Sequence, residues 1–140
     1  VLQELMPLAL AKGQDIGVAV ENDCQIHADD TEIYTLIKTF TDNAIRYTPK
    51  GGRIDLGFDE TAEYLSIWVE DDGPGIPPSE RQRVIDPFYR ILGTEQQGTG
   101  LGLSIADTIV KRHQGRLKLA DSRRFDSGLL IIAELDKKTL

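Results

Sequence analysis

The sequence predicts an α/β fold of the α+β type, a two-layer sandwich with helices on one face of a mixed, mostly antiparallel sheet. Five short segments alternate apolar and polar residues, which is the period of a strand with one buried face. Two longer segments repeat apolar residues every three or four positions, which is the period of a helix. Helices and strands that each have one apolar face bury it by packing in two layers.

The first half of the chain predicts one helix and three strands around a longer central helix. Residues 1–12 have helical spacing until Gly13 interrupts it, and residues 16–20 then alternate as a strand. Residues 54–58 and 65–69 also alternate, and the polar stretch between them predicts a hairpin.

The central helix has clear start and stop signals. Asp29 and Glu32 have the spacing of a capping box. Pro49 ends the helix, because the residue before a proline is pushed out of the helical region. The helix has one apolar stripe: Ile33, Leu36, Ile37, Phe40, Ala44 and Tyr47.

The second half begins with a proline-rich helix start and a long polar segment. Pro77 and Pro78 predict a short helix through about Asp86. Residues 87–100 are polar, contain three glycines and have no period. A segment of this length without secondary structure inside a compact domain is typical of a lid over a binding site.

A second helix is predicted from Leu101 to Gln114, with Ile105, Ile109 and Val110 directed inward and Gly115 as its C-terminal cap. Two further strands follow: residues 117–119 and, after the turn 126–128, residues 129–135. We expect residues 136–140 to be a frayed tail.

Length and composition limit the function classes. A chain of 140 residues predicts a single domain over residues 1–140. A net charge of −7 disfavours nucleic acid as a partner, since a phosphate backbone is bound by clustered cations. A single cysteine excludes an intrachain disulfide and favours a reducing compartment. No apolar run reaches the length of a membrane span, and the first residues do not resemble a signal peptide.

Three segments contain residues that are suited to binding a ligand or to catalysis. Asn43, Arg46 and Tyr47 are three and four residues apart on the central helix, so they share a face with Thr39. An amide oxygen suits Mg²⁺, a guanidinium suits phosphate and a tyrosine ring suits a base. The alternative is an ordinary surface helix with a core tyrosine.

Asp71 ends a strand and begins a glycine turn that contains Gly73 and Gly75 and is followed by Ile76. A buried carboxylate there can accept a hydrogen bond from the exocyclic amine of adenine, and glycines leave space for the base. The alternative is a simple Asp-Gly-Pro-Gly turn.

The third segment, Gly98-Thr99-Gly100-Leu101-Gly102-Leu103, runs into the second helix. Glycine N–H groups and a helix N-terminus suit phosphate. The segment lies too late in the chain for a dinucleotide-binding fold, and it lacks the Gly-Lys-Ser/Thr of a Walker A loop.

Taken together, these segments resemble the catalytic ATP-binding domain of bacterial two-component sensor histidine kinases, within the GHKL ATPase family. Residues 42–49 are similar to the N box of that family, residues 71–77 to its G1 box, residues 86–90 to its F box and residues 98–103 to its G2 box. The order and spacing of four boxes are more specific than any one of them, and the similarity extends over nearly the whole chain.

The resemblance implies a Bergerat ATP-binding fold with a role for each matching residue. Asn43 would ligate Mg²⁺, Arg46 would contact phosphate, Tyr47 would line the adenine pocket and Asp71 would bind the adenine amine. The segment from about residue 78 to residue 100 would be a flexible ATP lid. The remaining implied nucleotide contacts are Gly73, Gly75, Ile76, Phe88, Arg90, Gly98, Thr99, Gly100, Leu101, Gly102 and Leu103.

Two departures from the family pattern affect the expectation. Thr39 stands where many members have a second Asn, so we expect altered Mg²⁺ or nucleotide affinity, with a hydroxyl that could reach the metal through water. GHKL members that hydrolyse ATP resemble one another in having a Glu there as general base, and threonine cannot fill that role. Pro87 stands where the F box usually has an Arg or similar residue.

The two histidines do not resemble the phosphoacceptor box of sensor kinases. His27 precedes a helix and His113 ends one, and both are predicted to be structural. We predict a partly buried sheet position for Trp68 and a solvated turn for Arg123 and Arg124.

The leading interpretation is a domain that binds Mg-ATP and donates the γ-phosphoryl to a histidine on its own dimerisation domain in a homodimeric kinase. A response regulator would follow downstream, and the domain would be the cytoplasmic part of an inner-membrane sensor. The alternatives are an anti-sigma-type serine kinase and a non-enzymatic nucleotide-binding module.

Overall fold

The computed structural model describes residues 11–20, 30–85 and 102–140. The strands are β1 (Asp15–Val20), β2 (Arg53–Glu60), β3 (Tyr64–Asp71), β4 (Arg116–Asp121) and β5 (Leu129–Asp136). The helices are α1 (Asp30–Tyr47) and α2 (Gly102–Arg112), and three single-turn 3₁₀ helices cover Pro78–Glu80, Arg83–Ile85 and Lys137–Thr139. Residues 1–10 of the expected first helix, the Asp29 cap and most of the expected lid lie outside the described residues.

The five strands form one sheet in the order β1-β2-β3-β5-β4. β1 and β2 are parallel, with Val18 opposite Leu56, whereas every other pair is antiparallel. A parallel pair needs a crossover connection, and α1 supplies it between β1 and β2. The mixed, mostly antiparallel sheet is therefore confirmed.

The core lies between this sheet and the two helices. The apolar core positions alternate along the strands, as Ile54 and Leu56 show on β2, and they meet Leu36 and Phe40 of α1 and Val110 of α2 in one apolar cluster. Both helices thus cover the same face of the sheet, as the sequence predicts. Among the described residues, neither helix combines the length and the apolar composition that a membrane span requires.

The proline-rich segment forms two 3₁₀ turns, so the prediction of one short helix there is wrong within the described residues. The N–H groups of a first helical turn have no partner within the helix. Pro77 and Pro78 lack an N–H group, so they are tolerated at the start of a turn. Neither 3₁₀ helix contains a fully buried residue, and the partly buried Val84 packs against the core.

The end of α2 corrects the expected cap. Gln114, with φ of 52°, adopts the left-handed conformation, and the Gln114 and Gly115 N–H groups donate to Lys111 O at 3.1 Å and Val110 O at 2.9 Å. This is a Schellman motif with glutamine at the left-handed position. Gly115 is needed for another reason: a Cβ there would lie 1.7 Å from Glu134 O.

Two further expectations need correction. Ile109 and Val110 are buried as predicted, but Ile105 is 47% exposed. The C-terminal residues are not a frayed tail. They form a 3₁₀ turn capped by the Asp136 carboxylate, which accepts from Lys138 N at 2.9 Å, and Leu140 packs against the core.

Candidate functional site

The C-terminal half of α1 contacts both glycine segments. A Cβ on Gly102 would lie 3.2 Å from Thr39 Cγ2, and a Cβ on Gly73 would lie 3.0 Å from Tyr47 O and 3.4 Å from Thr48 Cα. Thr39 and Tyr47 are about 12 Å apart along the helix at 1.5 Å per residue. One helix face therefore has the Asp-glycine turn at one end and the start of α2 at the other.

The predicted side chains of this face are half-buried. Asn43 and Arg46 lie between the two contact points, with Tyr47 at the Asp71 end and Thr39 at the α2 end. Arg46 Nε lies 3.1 Å from Asp42 Oδ2. Ion pairs between partly exposed groups are weak, so the guanidinium can exchange this carboxylate for a phosphate at little cost.

The end of α1 is fixed by two side chains from the segment before β1. Lys12 Nζ donates to Ile45 O at 2.7 Å and to Thr48 O at 2.8 Å, and Gln14 Nε2 donates to the same two carbonyls at 3.0 and 2.7 Å. Burial lowers the pKa of Lys12, and the charge of Lys50 lowers it further. Satisfied carbonyls and a cation both stabilise a helix C-terminus, so the last turn of α1 is held rigidly.

Asp71 is the most buried carboxylate next to this face, with 4% of its surface exposed. Its Oδ1 accepts from Gly73 N at 2.9 Å and from Leu129 N at 3.3 Å. Among the described residues no hydrogen-bond donor reaches Oδ2, so that oxygen is the one available to a ligand. Burial raises the pKa of Asp71, while the two backbone N–H groups act in the opposite direction.

The turn after Asp71 is shaped by glycine and ends in the core. Gly75 has φ of 74°, which favours glycine, and a Cβ there would lie 3.1 Å from Gly128 O. Ile76 packs against the apolar core from this turn. Leu103, in the first turn of α2, is 7% exposed and belongs to the core itself.

The loop between β4 and β5 also borders the site, although no sequence motif pointed to it. Ser127 Oγ donates to Gly73 O at 2.8 Å, and a Cβ on Gly128 would lie 1.7 Å from Asp71 O. The only sequence signal was the Asp126-Ser127-Gly128 turn, which predicts a chain reversal but does not reveal what the turn contacts.

Arg123 and Arg124 are exposed in a bend, as the predicted solvated turn requires, and Arg124 also has partners on the opposite face of the sheet. The Arg124 guanidinium lies 4.9 Å from the Trp68 ring centroid and pairs with Asp55 at 3.3 Å and Glu70 at 3.5 Å. Trp68 is a sheet aromatic as predicted, and with 9% of its surface exposed it is more buried than the predicted partly buried position. Glu70 and Asp71 face opposite sides of β3, as strand alternation predicts.

His113 is 8% exposed and has structural partners. Its Nδ1 lies 2.8 Å from Thr139 Oγ1 and its Nε2 lies 3.3 Å from Glu32 Oε1. These contacts join both helices to the C-terminal turn, which agrees with a structural histidine.

Several predicted positions lie outside the described residues: Phe88, Arg90, Gly98, Thr99, Gly100, Leu101 and His27. Within the described ranges, no group of three or more His, Cys, Asp or Glu side chains could hold a metal ion. A metal here would need ligands of another kind, such as an amide oxygen and a nucleotide.

Comparison with known sequences gives consistent results. A family model described as histidine kinase-, DNA gyrase B-, and HSP90-like ATPase matches residues 28–139. The adaptive-response sensory kinase SasA of Trichormus variabilis is 34% identical over 120 residues, which are 84% of this chain and 30% of that protein. The sensor histidine kinase CpxA of Escherichia coli is 32% identical over 117 residues, which are 81% of this chain and 25% of that protein. The chain thus spans less than a third of either relative.

Solved structures give the same picture. The catalytic domain of histidine kinase ThkA superposes with a TM-score of 0.84 at 27% identity, over 96% of this chain and 86% of that chain. The mycobacterial sensor histidine kinase MprB superposes with a TM-score of 0.81 at 26% identity, over 96% of this chain and 91% of that chain.

Proposed function

Because the chain belongs to the histidine kinase-, DNA gyrase B- and HSP90-like ATPase family, we propose that it binds Mg-ATP along α1 and donates the γ-phosphoryl to a histidine of a separate dimerisation domain. The observation that carries the proposal is that one face of α1 contacts the Asp71 turn at one end and the start of α2 at the other. A base and a triphosphate need these two environments at the ends of one site.

The base would bind at the Asp71 end. Asp71 Oδ2, which no donor among the described residues reaches, accepts a hydrogen bond from the exocyclic amine of adenine, while Oδ1 stays bound to backbone N–H groups. Gly73 and Gly75 let the turn lie close to Tyr47 O and Gly128 O, and Tyr47 and Ile76 offer apolar surface to the ring.

The phosphates would bind at the α2 end. Gly102 opens α2, so its N–H and the positive end of the helix dipole face this end of the site. Arg46 contributes a cation once it leaves Asp42. Gly98, Thr99, Gly100 and Leu101 precede the helix and, with Leu103, complete the phosphate-binding segment. The lid, at about residues 78–100, would contribute Phe88 and Arg90.

Magnesium fits the donor set of this face. The Asn43 amide supplies one neutral oxygen, and Thr39 supplies a hydroxyl one turn away that can hold a metal-bound water. A cation held by these residues would neutralise phosphate charge, and the nucleotide would supply its other ligands.

The reaction is phosphoryl transfer. A histidine nitrogen bonds to the γ-phosphorus, the bond from that phosphorus to the bridging oxygen breaks, and ADP leaves with the electron pair. The protein contributes positioning and charge stabilisation. Thr39 cannot act as a general base on water, so transfer is favoured over hydrolysis. The proton acceptor for the histidine belongs to the other domain.

The partner domain must approach the phosphate end, since the γ-phosphoryl has to reach its histidine. Ile105 lies three residues after Gly102 and exposes 47% of its surface. This apolar side chain is the expected contact for the dimerisation domain of the homodimeric kinase. A response regulator would receive the phosphoryl group next, and the domain would lie on the cytoplasmic side of an inner-membrane sensor.

A reconstitution experiment tests the proposal. The chain is mixed with the dimerisation domain of the same protein and γ-labelled Mg-ATP, and acid-labile, base-stable label on histidine is measured. We expect label with the wild-type chain and a loss of at least about tenfold with Asn43→Ala, because a metal ligand is removed.

Two other results would overturn the kinase assignment. Tight Mg-ATP binding without label transfer would favour a non-enzymatic nucleotide-binding module. Acid-stable label on serine of another protein would favour a serine kinase, for which the relatives described above give no support.

A further inference from the structure

Asp71 is held partly by a loop that is distant in sequence. One of the two N–H groups on its Oδ1 belongs to Leu129, which directly follows the loop between β4 and β5. We propose that this loop, residues 122–128, positions the Asp71 carboxylate for base selection and is anchored by Glu70 on the opposite face of β3. Glu70 and Ser127 are then positioning residues for adenine specificity. The inference rests on the proposed function, because Asp71 must contact the base for its position to matter.

Three contacts connect the loop to the Asp71 turn. Leu129 N donates to Asp71 Oδ1 at 3.3 Å, and Ser127 Oγ donates to Gly73 O at 2.8 Å. Gly128, with φ of 143°, lets the loop backbone lie directly against the Asp71 carbonyl. The loop and the first residue of β5 thus contact the Asp71 carboxylate, the Asp71 carbonyl group and the glycine turn that follows Asp71.

Glu70 holds the other end of the loop. It is 3% exposed, and its Oε2 accepts from Ser122 Oγ at 2.7 Å, Arg123 N at 2.5 Å and Arg124 N at 2.9 Å. Phe125 N donates in turn to Ser122 Oγ at 3.0 Å. Hydrogen bonds to a buried carboxylate are strong, so the loop is folded around this side chain.

Arg124 adds a second attachment on the same face. Its guanidinium reaches Asp55 Oδ2 at 3.3 Å and lies over the Trp68 ring at 4.9 Å. A cation over an indole ring is attracted by the ring electrons. The loop is therefore bound to β2 and β3 on one face of the sheet while it holds Asp71 on the other.

The loop and the turn also line a common cavity. Its volume is about 510 Å³, and its walls come from the segments 74–78 and 121–128. The two segments approach each other at Gly75 and Gly128, and Arg81 joins Ile76 O to Asp121. At the carboxylate itself, the orientation depends on the hydrogen bonds named above. Weakening any of them should let Asp71 Oδ2 move relative to the base.

Nucleotide preference measures this directly. The affinities for Mg-ATP and for magnesium inosine triphosphate, which has a 6-oxo group in place of the amine, are measured by calorimetry. The wild-type chain is expected to prefer ATP by about tenfold or more, the value of one hydrogen bond to a charged acceptor. In Glu70→Gln and Ser127→Ala we expect this ratio to fall by at least about threefold, with the inosine nucleotide affinity changed less than the ATP affinity.

Glu134→Gln is the matched control. Glu134 lies on the same face of the sheet as Glu70, pairs with Lys118 and does not contact the loop. It should keep the wild-type ratio. Ser127 is exposed, so its alanine variant remains informative if Glu70→Gln does not fold.

The possible outcomes distinguish the positioning role of the loop from the proposed function of the domain. An unchanged ratio in the folded loop variants, or an equal loss of affinity for both nucleotides, would overturn the positioning role and leave the proposed function intact. A wild-type chain that binds Mg-ATP and does not prefer it over the inosine nucleotide would overturn base contact by Asp71, and the inference with it. A chain that binds neither nucleotide would overturn the proposed function.

Discussion

Replacing Asp71 with asparagine should separate ligand binding from stability. Oδ1 accepts from Gly73 N and Leu129 N, and an asparagine oxygen can accept both. Its NH₂ group then takes the place of Oδ2. The variant thus presents a donor to the adenine amine, where the wild-type chain presents an acceptor.

The expected loss of ATP affinity follows from this change. A hydrogen bond to a charged group contributes about 1.5–3 kcal/mol, which corresponds to about 10- to 100-fold in affinity. Two donors facing each other favour the upper half of that range. Inosine triphosphate has an acceptor at the same position, so its affinity should rise in the variant and the base preference should reverse.

The same substitution should lower ATP affinity but leave the free energy of unfolding equal or higher. Burial raises the pKa of Asp71 above its usual value of 3.8, so folding favours the protonated form. The stabilisation that comes from this preference is fully present below the pKa of Asp71 in the unfolded chain. It is lost as the pH rises through the pKa of Asp71 in the folded chain. At pH 7 the wild-type chain keeps a buried charge that asparagine lacks. The variant should therefore melt at an equal or higher temperature at pH 7, and the difference should vanish at about pH 3.

Calorimetric titration of both nucleotides and thermal melts at the two pH values test these expectations. Asp72→Asn is the matched control, because it makes the same charge change one residue later, where the carboxylate accepts from Arg53 N at 2.9 Å. Equal ATP affinity for the wild-type chain and Asp71→Asn would refute base contact by this carboxylate. A lower melting temperature for the variant at pH 7 would refute the burial argument.

Three further predictions concern the metal ligand, the partner surface and the end of α2. Asn43→Ala should weaken ATP binding about tenfold with Mg²⁺ present and much less in EDTA, since it removes one metal ligand. Ile105→Glu should lower histidine phosphorylation at least about tenfold while unfolding changes by less than about 0.5 kcal/mol, because the side chain is exposed. Gly115→Ala should destabilise by about 2 kcal/mol or more, since its Cβ would meet Glu134 O at 1.7 Å, whereas Gln114→Gly should stabilise by about 1 kcal/mol.

Each of these predictions has its own control. Equal affinity loss with and without Mg²⁺ would exclude Asn43 as a metal ligand. Val18→Glu, at a 51% exposed position on the edge strand β1, should leave phosphorylation unchanged, and a matching loss there would remove the case for Ile105. Denaturant melts that show Gly115→Ala as stable as the wild-type chain would contradict the close approach to β5.

The sequence predicted most of the fold because helices and strands have local periods. The stripe from Ile33 to Tyr47 and the alternation in β2 and β3 depend on neighbours a few positions apart. The local signals failed where a distant residue decides. Ile105 fits the period of α2, but no described element covers it. Glycine is the usual residue at a left-handed helix end, but the space beside β5 requires it at position 115 and leaves the left-handed position to Gln114.

The candidate site also combines features that the local sequence predicts with contacts between residues that are distant in sequence. By itself the sequence determined the shared face of Asn43, Arg46 and Tyr47 and the Asp-glycine turn, because these depend on helical spacing and on glycine within one short segment. Only the tertiary structure decided which oxygen of Asp71 has no donor within the described part of the chain, since Leu129, which donates to the other oxygen, is 58 positions away. The Glu70 carboxylate and the loop it holds are likewise 52 or more positions apart. Such contacts exist only once the sheet has brought β3 and β5 together, and no local pattern encodes them.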